Sequence, residues 1–422
     1  MNEMLKTLNE LCSFKSVAVH TGETAHPYGE EVNKALKYML SLCDELGFRT
    51  KNLDNQLGYA EIGEGEELFG VLCHLDVVPV GKGWDYEPFA ATLDGDRIYG
   101  RGVIDDKGPC VASVYAMKDI LDSGKKLNKR IRLIFGQSEE NGHWTDMDYY
   151  KKTEEIPSMG ITPDGDFPAI YGEKGIYRCI MSIPKSETGF IEISGGQAAN
   201  MVPDEARAKV EIGDEIIEFF EEGKAAHGSL PHMGENAISK LMRAVAEKTD
   251  GCFLANFYNE HIGFDLHGEH INLGVSDEQS GKLTLNVGKI DMDEEKVNLY
   301  IDIRYPVTFS LIDISKLLDE VVEPLGFTTF LENHQLPVYM DKDGDFIKKL
   351  IAVYREHTGR DDEPSVIGGG TYARAMSNIV AFGPMIPGRE LTEHQKNEYI
   401  LAEDFALLRD IYRDAFLRIC AE

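Results

Sequence analysis

The apolar positions of the chain fall into short, recognisable patterns. Residues 30–46 place Val32, Leu36, Met39, Leu40 and Cys43 near a 3.6-residue period, which predicts an amphipathic helix. Residues 1–48 read as helical, with a glycine-containing break at 20–29. Leu68-Phe69-Gly70-Val71-Leu72-Cys73 is an unbroken apolar run of strand length, and so is Arg-Ile-Arg-Leu-Ile-Phe at 130–135. Between them, 109–122 reads as a helix. Strand, helix, strand predicts a βαβ unit and a sheet covered by helices.

After Lys174-Gly175 the texture changes. Residues 176–183, 190–193, 206–212, 283–290 and 297–303 read as strands, with helices at 236–248 and 310–325. That mixture predicts an α+β domain with antiparallel strands. From about residue 345 the chain returns to helix, glycine-rich loop and helix. The fold expected is therefore α/β, a central mixed sheet flanked by helices, with an inserted α+β domain. The division expected is 1–173 and 339–422 for one domain and 174–338 for the insert.

Composition narrows the function. The 422 residues carry 43 basic and 73 acidic side chains, a formal charge of −30, so the chain as a whole lacks the basic face a nucleic-acid binder needs. Anionic membrane surfaces would repel it. With 42% hydrophobic and 27% charged residues it can bury a sizeable core. No apolar run approaches the ~20 residues of a membrane span, and residues 1–14 read as an amphipathic helix and not as a signal peptide. Seven scattered cysteines without a CxxC pair predict free thiols and a cytoplasmic setting.

Five motifs carry candidate chemistry, and each has a plain reading beside the functional one. His74-x-Asp76 puts two side chains on one face of a strand, where a carboxylate can orient an imidazole toward a metal. It also fits a histidine that ends a core strand. Gly100-Arg101-Gly102-Val103-Ile104-Asp105-Asp106-Lys107-Gly108 is a tight turn into a helix. It lacks the spacing of a phosphate loop, and its paired acids suit a dication better. Gln137-Ser138-Glu139-Glu140 follows an apolar strand, where ligands of α/β sheets bind. Pro163-Asp164-Gly165-Asp166 sets another acid in a turn. Gly388-Arg389-Glu390-Leu391-Thr392-Glu393-His394 precedes a C-terminal helix. Taken together, His74, Asp105, Glu140, Asp164 and His394 supply two imidazoles and three carboxylates, a donor set suited to Zn²⁺ or Mn²⁺. One bridging carboxylate would give each of two divalent ions three protein ligands.

In this order, HLDVVP, GRGVIDDKGP, SEENGHW, PDGDFP, GEKG, NMVPDEA, AHGSLPHMGENA, DIRYP, IGGGTYAR and GRELTEHQKNE resemble the M20 family of co-catalytic metallopeptidases, with the closest likeness to its PepV-type dipeptidases, which act on Xaa-His or β-Ala-Xaa. The likeness runs from about residue 70 to 420. It implies a zinc-exopeptidase-like catalytic domain with an inserted lid. Asp105 would bridge two metals, across a cis bond to Asp106. His74 and Asp164 would complete one site, Glu140 and His394 the other. Asp76 would support His74, and Glu139 would be the general base. His227 would polarise the scissile carbonyl. Asn200, Arg304 and the Gly369-Gly370 turn would bind substrate, with Arg304 forking onto a terminal carboxylate.

The resemblance implies hydrolysis of short peptides with a free N-terminus. The competing readings are an amidohydrolase that removes an acyl group from N-acyl amino acids, and a peptide- or metal-binding module that would need a lost ligand or base. The lid expected at 174–338 is longer than in simple dimeric members, so a monomer is favoured over a homodimer. His26, His143, His232 and the cluster of His261, His267 and His270 are not needed as ligands. Lys107 and Arg101 read as turn and salt-bridge residues.

Overall fold

The computed structural model describes residues 2–142 and 144–421. It has the mixed α/β character expected and divides into two compact units. The first holds Met1–Tyr171, Met340–Ser365 and Gly370–Glu422; the second holds Gly172–Tyr339 and Val366–Gly369. The single insert expected at 174–338 accounts for only part of the second unit. Four residues from the glycine-rich region join it, so the chain passes between units four times and not twice.

The central sheet of the first unit is mixed. Its strands lie in the order Arg49–Leu53, Leu57–Ile62, Arg130–Gly136, Leu68–His74, Met159–Thr162, Ile379–Ala381 and Ile170–Glu173. The three strands at its centre run parallel, with His74 beside Gly136 and Gly70 beside Gly160. Every residue of Leu68–His74 is buried. Parallel strands covered on both faces read as continuous apolar runs, which is why this stretch shows no alternation. The helix Lys107–Ser123 packs against Ala402–Cys420 and Asn2–Ser13, and Glu30–Glu45 packs on the first two strands.

The second unit is a seven-stranded antiparallel sheet. Its order is Glu215–Glu222, Glu205–Ile212, Phe190–Gly195, Thr284–Met292, Lys296–Tyr305, Gly175–Pro184 and Thr328–Gln335. Along Glu205–Ile212, Ala206, Ala208 and Val210 point inward, while Glu205, Arg207 and Lys209 do not. The helices Ala237–Ala246, Phe253–His261 and Leu311–Val322 contribute to the same core. The last of these begins at a reciprocal cap between Ser310 and Asp313.

Candidate metal centre and active site

The three central strands of the first unit deliver their side chains to one end of the sheet. His74 is the last residue of its strand, Glu139 and Glu140 follow Gly136, and Asp164 follows Thr162. Carboxyl ends of parallel strands are where α/β sheets hold ligands. Asp105 arrives from the turn before Lys107–Ser123, and its peptide bond to Asp106 is cis. That turn is tight. A side chain at Gly108 would place its Cβ 2.0 Å from the Val103 carbonyl oxygen, so only glycine fits.

Asp105 stands between two imidazoles. Its Oδ1 lies 3.0 Å from His74 Nε2, and its Oδ2 lies 2.9 Å from His394 Nε2. His74 Nε2 is also 3.8 Å from Asp164 Oδ2, and His394 Nε2 is 3.2 Å from Glu140 Oε2. Among the described residues, His74, Asp105 and Asp164 form one group whose ligand atoms lie within 4.8 Å of one another, and Asp105, Glu140 and His394 form a second. His74 Nδ1 donates to the backbone oxygen of Asp76 at 3.0 Å. A carbonyl only accepts, so Nδ1 holds the proton and Nε2 is the nitrogen turned to the carboxylates.

Asp76 lies beyond the end of its strand, not on one strand face with His74 as the spacing suggested. Its Oδ1 is 3.5 Å from His74 Nδ1, but its main hydrogen bonds go elsewhere. Oδ1 accepts from the Glu139 N–H at 3.2 Å and Oδ2 from the Glu140 N–H at 3.0 Å. The carboxylate therefore clamps the backbone that presents both glutamates.

The electrostatics fit cations. Burial pushes Asp164 up to about 8, aided by Asp105. Burial likewise lifts Glu139 well above the usual carboxylate range against the pull of His74, with Asp164 adding to the rise, and lifts Glu140 with help from Asp105. Asp105 goes the other way. Burial opposes its ionisation, but hydrogen bonds with His394 and His74 outweigh it and hold it low. The Asp105 and Glu140 carboxylates push His394 up to about 11. Acids crowded and dehydrated in this way resist sharing one site unless positive charge joins them. Two imidazoles with three carboxylates are the donors that borderline dications take.

Of the remaining expected residues, Asn200, His227, Arg304 and Gly369 belong to the second unit, and Gly370 opens the last segment of the first. His227 pairs across a short ladder with Met201, next to Asn200, whose carbonyl accepts from the Gly228 N–H at 2.7 Å. His227 Nδ1 lies 2.6 Å from Ser229 Oγ. Arg304 departs from its expected use. It is buried, and its Nε and Nη2 already fork onto Asp302 while Nη1 donates to Gly368 O at 2.9 Å. The two-pronged face foreseen for a substrate carboxylate is engaged inside the unit, and what Arg304 holds is the start of the Gly368-Gly369-Gly370 turn.

Other histidines stay apart. His26 pairs with Glu23 at 3.2 Å, His267 Nδ1 sits 2.8 Å from Leu283 O, and His143 lies outside the described residues. Among the described residues Lys107 makes no salt bridge. It is fully buried and donates to the carbonyls of Leu11 and Phe14, both at 3.0 Å, closing the end of Asn2–Ser13.

The sequence reading also missed Asp146 and Tyr372. Asp146 Oδ2 accepts from the Gln137 N–H at 2.7 Å and from the Tyr372 hydroxyl at 2.6 Å. The Tyr372 ring meets His74 edge-on, 6.0 Å between centroids, and lies so close to Gly136 that a Cβ there would come within 2.4 Å of it. The GGGTYAR motif was a signal, but it did not say what the tyrosine touches.

Known proteins match this architecture. A Staphylococcus epidermidis protein named "Putative dipeptidase" is 37% identical over 459 aligned positions, covering 100% of this chain and 98% of that protein. Human carnosine dipeptidase 1 superposes with a TM-score of 0.64 at 15% identity, over 99% of this chain and 96% of that one. The aminoacylhistidine dipeptidase from Vibrio alginolyticus does so with a TM-score of 0.60 at 15% identity, over 99% and 96%. At such identities the two structures speak for the fold. Among the described residues, no helix is long and apolar enough to cross a membrane. The profile of peptidase family M20/M25/M40 matches residues 70–418, a span that opens on the strand leading to His74 and closes in the helix after His394. On that match and the full-length relative, the chain belongs to peptidase family M20/M25/M40 and is a metallopeptidase.

Proposed function

We propose that this protein is a dipeptidase that cleaves the peptide bond of short peptides with a free N-terminus, β-Ala-Xaa among them, with two divalent ions, Zn²⁺ or Mn²⁺. One observation carries the reading: the two oxygens of Asp105 each face a different histidine, at 3.0 and 2.9 Å, and each histidine has a further carboxylate beside it. A carboxylate set this way can serve two ions at once. His74 and Asp164 complete one set of ligands, and Glu140 and His394 the other. When bound, the ions supply Lewis acidity and lower the pKa of water at the site.

Glu139 acts as the general base. Its carboxylate receives a proton from the attacking water and passes it to the nitrogen of the leaving amine. Burial raises its proton affinity, which suits a group that must hold a proton between two steps. Asp76 keeps that carboxylate aimed by holding the N–H groups of Glu139 and Glu140. In the lid, the second unit, His227 polarises the scissile carbonyl and stabilises the oxyanion, and Asn200 beside it binds substrate. The Gly369-Gly370 turn offers backbone N–H groups to the terminal carboxylate, and Arg304 serves it by pinning Gly368. The protein acts as a monomer in the cytoplasm; its seven free cysteines support a reducing compartment.

The test is hydrolysis of β-Ala-His and of its N-acetylated form by ion-stripped protein, with and without added Mn²⁺ or Zn²⁺. The expected result is ion-dependent cleavage of the free-amine peptide alone. Cleavage of only the acetylated compound, at its acyl bond, would replace this reading with an amidohydrolase. No turnover of either, with two ions bound, would replace it with a binding module.

A further inference from the structure

His394 is an exposed ligand on a loop whose backbone turns left-handed at His394 and again at Asn397, with φ of 62° and 58°. A loop of that kind needs an anchor if its histidine is to meet Asp105 at a fixed distance. The anchor is four residues on. Glu398 is fully buried, and so, nearly, is its partner Arg101, whose Nη1 donates to Glu398 Oε2 at 2.6 Å. The other oxygen, Oε1, accepts from the N–H groups of Gly102 at 2.9 Å and Ile104 at 3.2 Å. Ile104 is the residue before Asp105. The Glu398 backbone oxygen also accepts from the Gly100 N–H at 2.9 Å. One residue thus grips the whole turn that presents Asp105, from the loop that presents His394.

A third loop is tied to the same point. The Arg101 guanidinium lies 5.3 Å from the centre of the Trp84 ring. Asn397 accepts from the Asp85 N–H at 2.9 Å and donates to the Asp85 carboxylate at 2.7 Å. Burying an ion pair this completely brings little net stability, because desolvation offsets the attraction. What the pair does set is geometry. The strands Arg97–Tyr99 and Tyr399–Leu401 that adjoin two of these loops pair side by side, and beyond that ladder the charge-assisted contact fixes how the turn of Asp105 sits on the loop of His394.

We propose that Glu398, seated on Arg101, is a positioning residue that sets the spacing of Asp105 and His394 and so the affinity and geometry of the cation site formed by Asp105, Glu140 and His394. This rests on the two-ion reading above. The informative variant is Glu398→Asp, which keeps the charge balance with Arg101 but shortens the reach by one methylene. Co²⁺ is titrated into ion-stripped full-length protein and followed by calorimetry and by its visible absorption. The wild type is expected to take up two ions. In the variant, one should bind as before and the other about 10- to 100-fold more weakly, with an altered Co²⁺ spectrum. A merely structural residue would lower the unfolding midpoint of the ion-free protein and leave both affinities of the folded protein alone. If Glu398→Asp does not fold, Asn397→Gly keeps the left-handed backbone and removes only the tie to Asp85; it should shift the same affinity in the same direction by less. A second-ion affinity within about twofold of wild type, with an unchanged spectrum, overturns the proposal. A wild type that takes up fewer than two ions overturns the two-ion reading and this proposal with it.

Discussion

The Tyr372 hydroxyl donates to the Asp146 carboxylate at 2.6 Å across 226 residues of chain. That oxygen also receives the Gln137 N–H, two residues before the proposed base. Tyr372 shares a buried cluster with Leu72 and Ile134, from the strands that end at His74 and Gly136. Tyr372→Phe keeps the packing and removes the donor to a charged acceptor. It should lower stability by about 2 kcal/mol, read from chemical unfolding. It should reduce kcat about tenfold with KM unchanged; an unchanged kcat would confine the tyrosine to a packing role.

Asp146 supplies a pH signature. Burial pushes its carboxyl up to about 6, against the lowering effect of its bonds with Tyr372 and Gln137. Its folded pKa is above the unfolded value, so its contribution is complete below about pH 4 and is lost as pH rises through 6. Asp146→Asn cannot titrate. The stability of the wild type relative to this variant should therefore fall by about 2–3 kcal/mol between pH 4 and pH 6. Unfolding midpoints at four pH values measure it, and a flat difference would mean that Asp146 is ionised throughout.

Glu139→Gln preserves size and removes the proposed base. Turnover should drop by at least about 10²–10⁴-fold while calorimetry still counts two ions. Near-full kcat in this variant would move the proton transfer to another group.

Arg304→Met should act on the lid. It leaves Asp302 buried with Arg178 alone, whose Nε bonds the same carboxylate at 2.9 Å. Removing one partner of a buried pair costs about 3 kcal/mol or more, so chemical unfolding should begin at lower denaturant. Release of Gly368 should raise KM more than it lowers kcat. The opposite split would place Arg304 at the reacting bond.

Chelation should do more than stop turnover. Each ion stabilises the folded state by mass action, about 4 kcal/mol at a free concentration a thousand times its Kd. Thermal scans with and without chelator, at fixed protein concentration, should therefore differ by many degrees, and Mn²⁺ or Zn²⁺ should restore the difference. Identical scans would deny the ions a site in the folded protein.

Much of this was legible in the sequence because the signals are local. The apolar run ending at His74 and the one ending at Gly136 announce buried parallel strands, and the donor types at the strand ends announce cations. Less legible was whatever depends on contacts between distant segments. The acids of Glu215–Glu222 mask a sheet-edge strand, whose outer residues meet water. Phe253–His261 is a helix that the sequence reading did not place. The spacing of His74 and Asp76 suggested support for the imidazole, but the Asp76 carboxylate turns to backbone N–H groups 63 and 64 residues away. The isolated residue type of Arg304 could not reveal that Asp302, its neighbour but one, occupies its fork.

The order in which the ribosome releases this chain bears on how the centre can form. The strand Ile379–Ala381 sits between Met159–Thr162 and Ile170–Glu173, so the sheet of the first unit has a gap until that strand has been made. The second unit is by then synthesised in full. Asp105, Glu140 and Asp164 emerge early and wait for His394. The proposed ligand set, which needs His394 beside Asp105, Glu140 and Asp164, is therefore complete only late in synthesis.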